Sequence, residues 1–132
     1  MHALKHPGLA AYVARNRIGA DDTRADGAVA LLFDEKFRIV CHPLAQGELL
    51  LETLLAEVPQ EAREADALLA EALQYAGERP PTAGEALVLT EDERTLFLQQ
   101  RVAADAGAEL VEIVLEQFIN AIADWRLALR VL

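Results

Sequence analysis

Few side chains in this sequence could carry out chemistry, and a pair of histidines near the start is the first of them. His2 and His6 lie four residues apart, a spacing at which two imidazoles on one helix can hold a metal ion. A third ligand at usable spacing is missing, and Pro7 disfavours a regular helix across the pair. We therefore expect two solvated histidines near a terminus and no metal site.

The other candidate side chains are equally isolated in the sequence. Cys41 lies in a predicted strand, and without a neighbouring cation to activate its thiol we expect a small buried hydrophobic side chain. His42, at the end of that strand, has no positioned partner. Glu91, Asp92 and Glu93 could attract a cation, but the spacing of a calcium loop is missing, so we interpret them as a solvated turn.

Catalytic motifs are missing as well. The chain contains no serine, which excludes a serine nucleophile. It has no Cys-x-x-Cys pair, no His-Glu-x-x-His sequence and no glycine-rich phosphate loop. We predict that the protein is not an enzyme and uses no cofactor.

Length and charge limit the remaining classes. The 132 residues suffice for one domain with its own core, which we assign to residues 1–132, and a hydrophobic fraction of 53% argues against disorder. The net charge of −10 argues against a nucleic-acid partner. No apolar run approaches the roughly 20 residues that span a bilayer, so we expect no membrane insertion. A single cysteine and no visible signal peptide favour the cytoplasm.

The stretch from Ala28 to Val58 organises the chain. Polar breaks at Asp34-Glu35 and at Pro43–Gly47 divide it into predicted strands, which are Ala28–Phe33, Lys36–His42 and Glu48–Leu55. Alternation assigns one apolar face to Val29, Leu31, Phe33, Phe37, Ile39, Cys41, Leu49 and Leu51. The opposite face is only half polar, since it also carries Ala30, Leu32, Val40, Leu50 and Leu54. This excess of apolar surface indicates a binding surface.

Three predicted helices and a second hairpin complete the chain. The helices lie within His2–Arg17, from Pro59 to about Ala76 with Gly77 as its cap, and from Ala108 to Leu129. The hairpin comprises Glu85–Leu89 and Thr95–Val102. The element order α-β-β-β-α-β-β-α predicts an α+β fold, with a twisted antiparallel five-stranded sheet and helices mainly on one face.

Two of these helices carry distinct apolar patterns. The last has the stripe Val111, Val114, Phe118, Ile122, Trp125 and Leu129, widened by Leu110, Ile113, Leu115 and Ile119. The stripe of the second is rich in alanine, with Ala62, Ala65, Leu69, Ala72, Leu73 and Ala76. Two interpretations of the second helix stay open, an ordinary core helix or a helix–helix contact across a dimer.

With its elements in this order, the sequence resembles the class I type III secretion chaperones, the Tir-chaperone or CesT-like family. The resemblance covers nearly the whole chain and rests on Arg17-Ile18-Gly19, Leu31-Leu32-Phe33-Asp34, Glu48-Leu49-Leu50-Leu51 with Val58-Pro59, Ala86–Leu89 with Thr95–Leu98, and Phe118 with Ala123-Asp124-Trp125. The main departure is Pro7, which shortens or displaces the first helix.

The resemblance implies a cytoplasmic, nucleotide-independent homodimeric chaperone. Such a dimer binds the N-terminal segment of a secreted effector in extended form, keeps it soluble and delivers it to the secretion apparatus, with the secretion ATPase as a further candidate partner. The dimer interface would lie at Leu68, Leu69, Ala72, Leu87 and Leu89. The effector would contact Ala30, Leu32, Val40, Leu50 and Phe97 and add a strand to the edge strand Ala28–Phe33.

A regulatory or small-ligand-binding α+β domain is the alternative. Its apolar sheet face would close over a pocket, whereas a chaperone would leave that face open as a groove. A thermal-shift screen against metabolites separates the two functions.

Overall fold

A computed structural model describes residues 6–16 and 27–131, and the structural statements below concern these residues. The elements follow the predicted order: α1 Pro7–Asn16, β1 Val29–Phe33, β2 Phe37–Pro43, β3 Leu49–Glu57, α2 Ala62–Glu78, β4 Ala86–Leu89, β5 Thr95–Val102 and α3 Ala108–Leu129. The predicted α+β class is confirmed, and the bounds of β5 and α3 agree with the prediction. His2 and the segment Arg17-Ile18-Gly19 lie outside the described residues.

All five strands form one antiparallel sheet in the order β1-β2-β3-β5-β4. Among the described strands β1 and β4 are therefore the edges, as predicted for β1. The β1–β2 hairpin pairs Phe33 with Phe37, and its turn residues Asp34 and Glu35 both have positive φ, at 53° and 57°. The β3–β5 ladder shifts register between Leu54 and Ala56, which marks a bulge in β3.

The core lies between one sheet face, the inner face, and the helices. Its largest fully buried side chains are Trp125, Phe118, Leu9, Leu31, Ile39, Leu49, Leu51, Leu96, Leu98, Leu115, Ile122 and Val29. The predicted stripe of α3 needs one correction, because Leu115 is fully buried and Val114 only partly. Leu110 and Ile113, predicted to widen the stripe, are exposed because they lie at its flank.

Both ends of α2 differ from the prediction. The helix begins at Ala62 and not at Pro59, because the carboxylate of Glu61 caps it by accepting the N–H groups of Arg63 and Glu64 at 3.2 and 2.8 Å. At the other end Gly77 lies inside the helix, and Arg79 is the capping residue with an extended ψ of 143°. Pro80 is the physical reason, since it disfavours the helical conformation for the residue before it.

The expectation of a solvated His6 is wrong. His6 is buried, and its Nδ1 accepts the N–H of Leu9 at 3.1 Å, which caps the first turn of α1. Its Nε2–H donates to the carbonyl of Ala103 at 2.7 Å and so ties α1 to the segment before α3. Gly8 allows α1 to pack closely on the same segment, because a Cβ at this position would lie 1.9 Å from the carbonyl oxygen of Ala106. The imidazole of His6 is thus a structural link between α1 and the β5–α3 connection.

Cys41 is fully buried in the inner layer of β2, as expected for a small hydrophobic side chain. Burial raises the pKa of its thiol to about 12. At neutral pH the thiolate is therefore a negligible fraction, and Cys41 is a packing residue.

Candidate binding surface

The outer face of the sheet, turned away from the helices, carries its side chains in cross-strand rows. One row contains the pair Leu32–Arg38 of β1 and β2 and, across a gap between β2 and β3, the paired residues Leu54 of β3, Phe97 of β5 and Val88 of β4. We call its four apolar members, Leu32, Leu54, Phe97 and Val88, the apolar row.

The apolar row holds two of the most exposed leucines of the sheet. Leu32 is 52% exposed and Leu54 48%, while Phe97 is partly buried between its cross-strand neighbours Leu54 and Val88. Alternation assigns Leu54 to this face, but Leu54 is not among the predicted effector contacts. The cross-strand register brings it beside Phe97, and strand alternation alone does not give that register.

Two of the predicted contact residues are less accessible than expected. Ala30 and Val40 face each other across the β1–β2 ladder and form a small buried cluster with Ala28, so a partly exposed position is wrong for both. Their small side chains are enclosed by their neighbours. Leu50, in contrast, is partly exposed on the same face. Direct contact with a partner therefore stays a prediction for Leu32, Leu50 and Phe97.

A second row of the outer face is polar. Glu52 accepts hydrogen bonds from His42 Nε2 at 3.1 Å and from Gln99 Nε2 at 2.7 Å. His42 therefore has a positioned partner, contrary to the expectation from sequence, but the partner comes from the neighbouring strand. This hydrogen-bond network of three side chains links β2, β3 and β5. It contains no nucleophile, and we assign it a structural role in the sheet.

A cleft separates β2 and β3 within the apolar row, between Leu32 and Leu54. The β2–β3 ladder ends at the pair Val40–Glu52, and beyond it the Thr53 hydroxyl donates to the Arg38 carbonyl at 2.9 Å. The cleft has a volume of about 560 Å³, and Lys36, Arg38, Leu54, Phe97 and Arg126 are among its lining residues. It opens within the apolar row and reaches α3 through Arg126.

The predicted dimer residues lie on α2 and β4. Ala72 is the only buried residue of the 17-residue helix α2, and it packs into the protomer core. Leu68, Leu69 and Leu87 are partly buried, and Leu89 lies at the exposed end of β4. Leu73, a member of the alanine-rich stripe, is 70% exposed. The stripe is therefore only half covered within one protomer.

Residues 6–16 and 27–131 offer neither a metal site nor a membrane span. No group of three histidine, cysteine, aspartate or glutamate side chains in this part of the chain could hold a metal ion. No helix in it is long and apolar enough to cross a bilayer.

The arrangement of three helices on one face of a five-stranded sheet agrees with a family comparison. The model of the Tir chaperone protein (CesT) family matches residues 15–126, which is most of the chain. The chain belongs to this family. The match confirms the resemblance predicted from the sequence, and with it the functional class of a chaperone. A search of curated proteins finds no match.

Solved structures share the fold of this Tir-chaperone family member. The Yersinia pestis type III secretion chaperone SycH, in complex with a stable fragment of YscM2, is 14% identical with a TM-score of 0.61, and the match covers 89% of this chain and 95% of that one. SchA in the HopA1–SchA chaperone–effector complex matches at 20% and 0.64, covering 90% of both chains. The ExsC–ExsE complex matches at 20% and 0.64, covering 96% and 95%.

The same fold occurs in a protein with a different description. YbjN, a proposed transcription regulator from E. coli, is 17% identical with a TM-score of 0.62, and the match covers 85% of this chain and 83% of that one. At such identities the likeness shows the fold alone. The family match, and not the fold, therefore separates the chaperone from the regulatory alternative.

Proposed function

We propose that the protein is a type III secretion chaperone that binds the N-terminal segment of a secreted effector in extended form. It keeps this segment soluble and secretion-competent and delivers it to the secretion apparatus. The observation that carries the proposal is the apolar row, whose two half-exposed leucines lie on the open face of a sheet in a member of the Tir chaperone family.

Two features of the sheet suit an extended segment. The strand β1, Val29–Phe33, lies at the edge of the described sheet, and an edge strand can pair with an incoming strand through its backbone. Leu32 belongs to this strand and begins the apolar row, so one segment can pair with β1 and then cross to Leu54 and Phe97. Backbone pairing supplies affinity with little demand on sequence, and the apolar contacts fix the register.

Leu32→Asp and Leu54→Asp are expected to reduce effector co-purification at least about tenfold, because each places a charge in a contact that must lose its water. Both side chains are half exposed, so we expect the melting temperature to change by only a few degrees. We choose Leu54 over Phe97 for the second variant because aspartate at the partly buried Phe97 would also disturb folding.

The measurement is co-expression with the N-terminal segment of a candidate secreted effector, followed by pull-down and thermal denaturation. Leu127→Asp is the matched control, since Leu127 is 81% exposed on α3, away from the sheet face. Normal binding by both sheet variants would place the groove elsewhere on the molecule.

We also propose that the chaperone is a homodimer whose interface includes the alanine-rich stripe of α2 and the edge strand β4. A helix with a single buried residue is poorly covered in the protomer, and Leu73 adds a large exposed side chain to the stripe. Short alanine side chains allow the close approach of a second helix. Leu68, Leu69, Leu87 and Leu89 would border this contact.

Leu73→Glu is expected to weaken the dimer at least about tenfold, since it buries a charge in the contact. Leu73 is a better test than Ala72, because a charge at the buried Ala72 would unfold the protomer itself. Ala67→Glu is the control, being exposed on the same helix outside the stripe. Sedimentation of both variants checks the proposal, and a monomeric unmodified protein at micromolar concentration would contradict it.

The proposed setting is the bacterial cytoplasm, before the effector enters the secretion apparatus. The chaperone acts by binding, without catalysis and without a nucleotide of its own, and the secretion ATPase is the candidate acceptor of the complex. The net charge of −10 supports a protein partner over a nucleic acid.

A further inference from the structure

The cleft between β2 and β3 collects positive charge in an acidic protein. Lys36 and Arg38 line it from the β2 side and Arg126 lines it from α3, while the chain as a whole has a net charge of −10. The cleft exists because the β2–β3 ladder ends at Val40 and Glu52, so the two strands part where these cations lie. A positive cleft in an acidic surface is a local exception that needs a reason.

The hydrogen-bond donors of the Arg126 side chain are only partly satisfied. Its two terminal nitrogens both donate to the Lys36 carbonyl, at 3.3 and 3.4 Å, and its guanidinium lies 5.0 Å from the centre of the Phe37 ring. Its Nε is buried and has no hydrogen-bond partner. A buried donor without an acceptor costs free energy, and a negative charge in the cleft beside this guanidinium would offset part of that cost.

The described part of the chain supplies no carboxylate to these cations. Lys36, Arg38 and Arg126 form no ion pair with any acidic side chain in residues 6–16 and 27–131. Among the described residues Glu52 is the one acidic side chain that lines the cleft, and its two carboxylate oxygens already accept hydrogen bonds from His42 and Gln99. The lining side chains from the described part of the chain therefore carry a net positive charge.

We propose that this cleft binds a carboxylate of the effector, an aspartate or glutamate side chain in the segment that crosses the outer face. This inference rests on the proposed function and specifies the partner. Arg38 lies between Leu32 and Leu54 in the cross-strand row, so a segment covering both leucines must pass over the cleft. A planar guanidinium is well suited to a carboxylate.

The bound segment then has a defined pattern, an acidic side chain flanked by apolar ones. The apolar side chains contact Leu32 on one side of the cleft and Leu54 or Phe97 on the other. The acidic side chain fixes the register, which backbone pairing with an edge strand leaves open. Because the rest of the chaperone repels acidic peptides, a preference for one acidic position is a specific signature of the cleft.

Peptide display tests the inference with a random dodecapeptide library, so the effector itself need not be identified. The library is selected on the purified unmodified protein and, in parallel, on Arg126→Gln and Lys36→Gln. We expect the unmodified protein to enrich peptides with aspartate or glutamate at one position between apolar residues. Both variants should still enrich apolar peptides but lose the acidic position. Lys36→Gln keeps the test valid if Arg126→Gln fails to fold, because the Lys36 side chain is exposed.

One selected peptide is then compared with its analogue in which glutamine replaces the acidic residue, by fluorescence polarisation. The analogue should bind the unmodified protein about tenfold more weakly, and the two peptides should bind Lys36→Gln with more similar affinity. Arg101→Gln is the control, since Arg101 lies on the same face outside the cleft, with a side chain 71% exposed. It should keep the tenfold difference.

The outcomes separate the inference from the proposed function. Three results would each overturn the carboxylate site and leave the chaperone function intact. The first is enrichment of apolar peptides without an acidic position, and the second is equal affinity of the unmodified protein for the two peptides. The third is loss of the tenfold difference in Arg101→Gln as well as in Lys36→Gln. Failure to enrich any peptide would overturn both.

Discussion

The variant Phe118→Asp should already be unfolded at room temperature and should therefore show no cooperative unfolding transition on heating. Phe118 is fully buried on α3 at the centre of the core stripe. Loss of a buried phenylalanine alone costs about 3–5 kcal/mol, and a buried, unpaired carboxylate adds several more. The sum is comparable with the whole stability of a domain, about 5–15 kcal/mol.

Circular dichroism during thermal and urea denaturation measures this effect. Ile113→Asp is the matched control, because it introduces the same residue into the same helix at an exposed position. The control should unfold near the temperature of the unmodified protein. A cooperative transition in Phe118→Asp close to that of the control would show that the assignment of the core face of α3 is wrong.

Glu85→Ala should destabilise the protein by about 3 kcal/mol, which is the second large effect. Only 4% of the Glu85 side chain is exposed, and it accepts hydrogen bonds from Arg79 Nε at 2.7 Å, Arg79 Nη2 at 3.2 Å and Trp125 Nε1 at 3.0 Å. These contacts join the end of α2, the start of β4 and α3. Removal of the carboxylate leaves a partly buried guanidinium and a buried indole N–H without this acceptor.

Asp124→Ala is the control for that variant. Asp124 contacts the same Arg79 at 3.4 Å, but its side chain is 56% exposed, so solvent screens the pair. We expect a change within about 0.5 kcal/mol. Equal losses for Glu85→Ala and Asp124→Ala in urea denaturation would contradict the role assigned to burial.

The contribution of Glu85 should also depend on pH. Burial raises the pKa of Glu85, but the hydrogen bonds from Arg79 and Trp125, with a backbone hydrogen bond and the positive charge of Arg79, hold that pKa below its ordinary value of 4.5. A carboxyl group with a lowered pKa in the folded state stabilises the protein fully above the ordinary value. This stabilisation is lost as the pH falls through the lower pKa of the folded protein. The stability difference between the unmodified protein and Glu85→Ala should therefore narrow below about pH 4.5 and stay constant near neutrality.

The sequence predicts the faces of the sheet because alternation is a local property. Val29 and Leu31 lie on the inner face, and Leu32 on the outer face, as the period of two requires. The sequence predicts the end of a helix less reliably where two local signals, such as a glycine and a following proline, compete. Gly77 suggests the end of α2, but Pro80 determines it, because proline restricts the residue before it.

Contacts between distant parts of the chain could not be predicted from the sequence. The burial of His6 depends on the carbonyl of Ala103, and no residue near His6 predicts that contact. The cleft depends on where the β2–β3 ladder ends and on the position of Arg126 in a helix that follows β3, α2, β4 and β5. The pairing of Leu54 with Phe97 likewise needs the register, which the bulge in β3 shifts beyond that pair.

Amide hydrogen exchange, measured with and without the bound N-terminal segment of the effector, tests the proposed binding mode most directly. If the segment adds to the sheet edge, the amides of β1, Val29–Phe33, should exchange more slowly in the complex, together with those around Leu54. The buried amides of α3 around Phe118 should change little. A stable complex in which the exchange of β1 and of the residues around Leu54 is unchanged would contradict binding on the outer face.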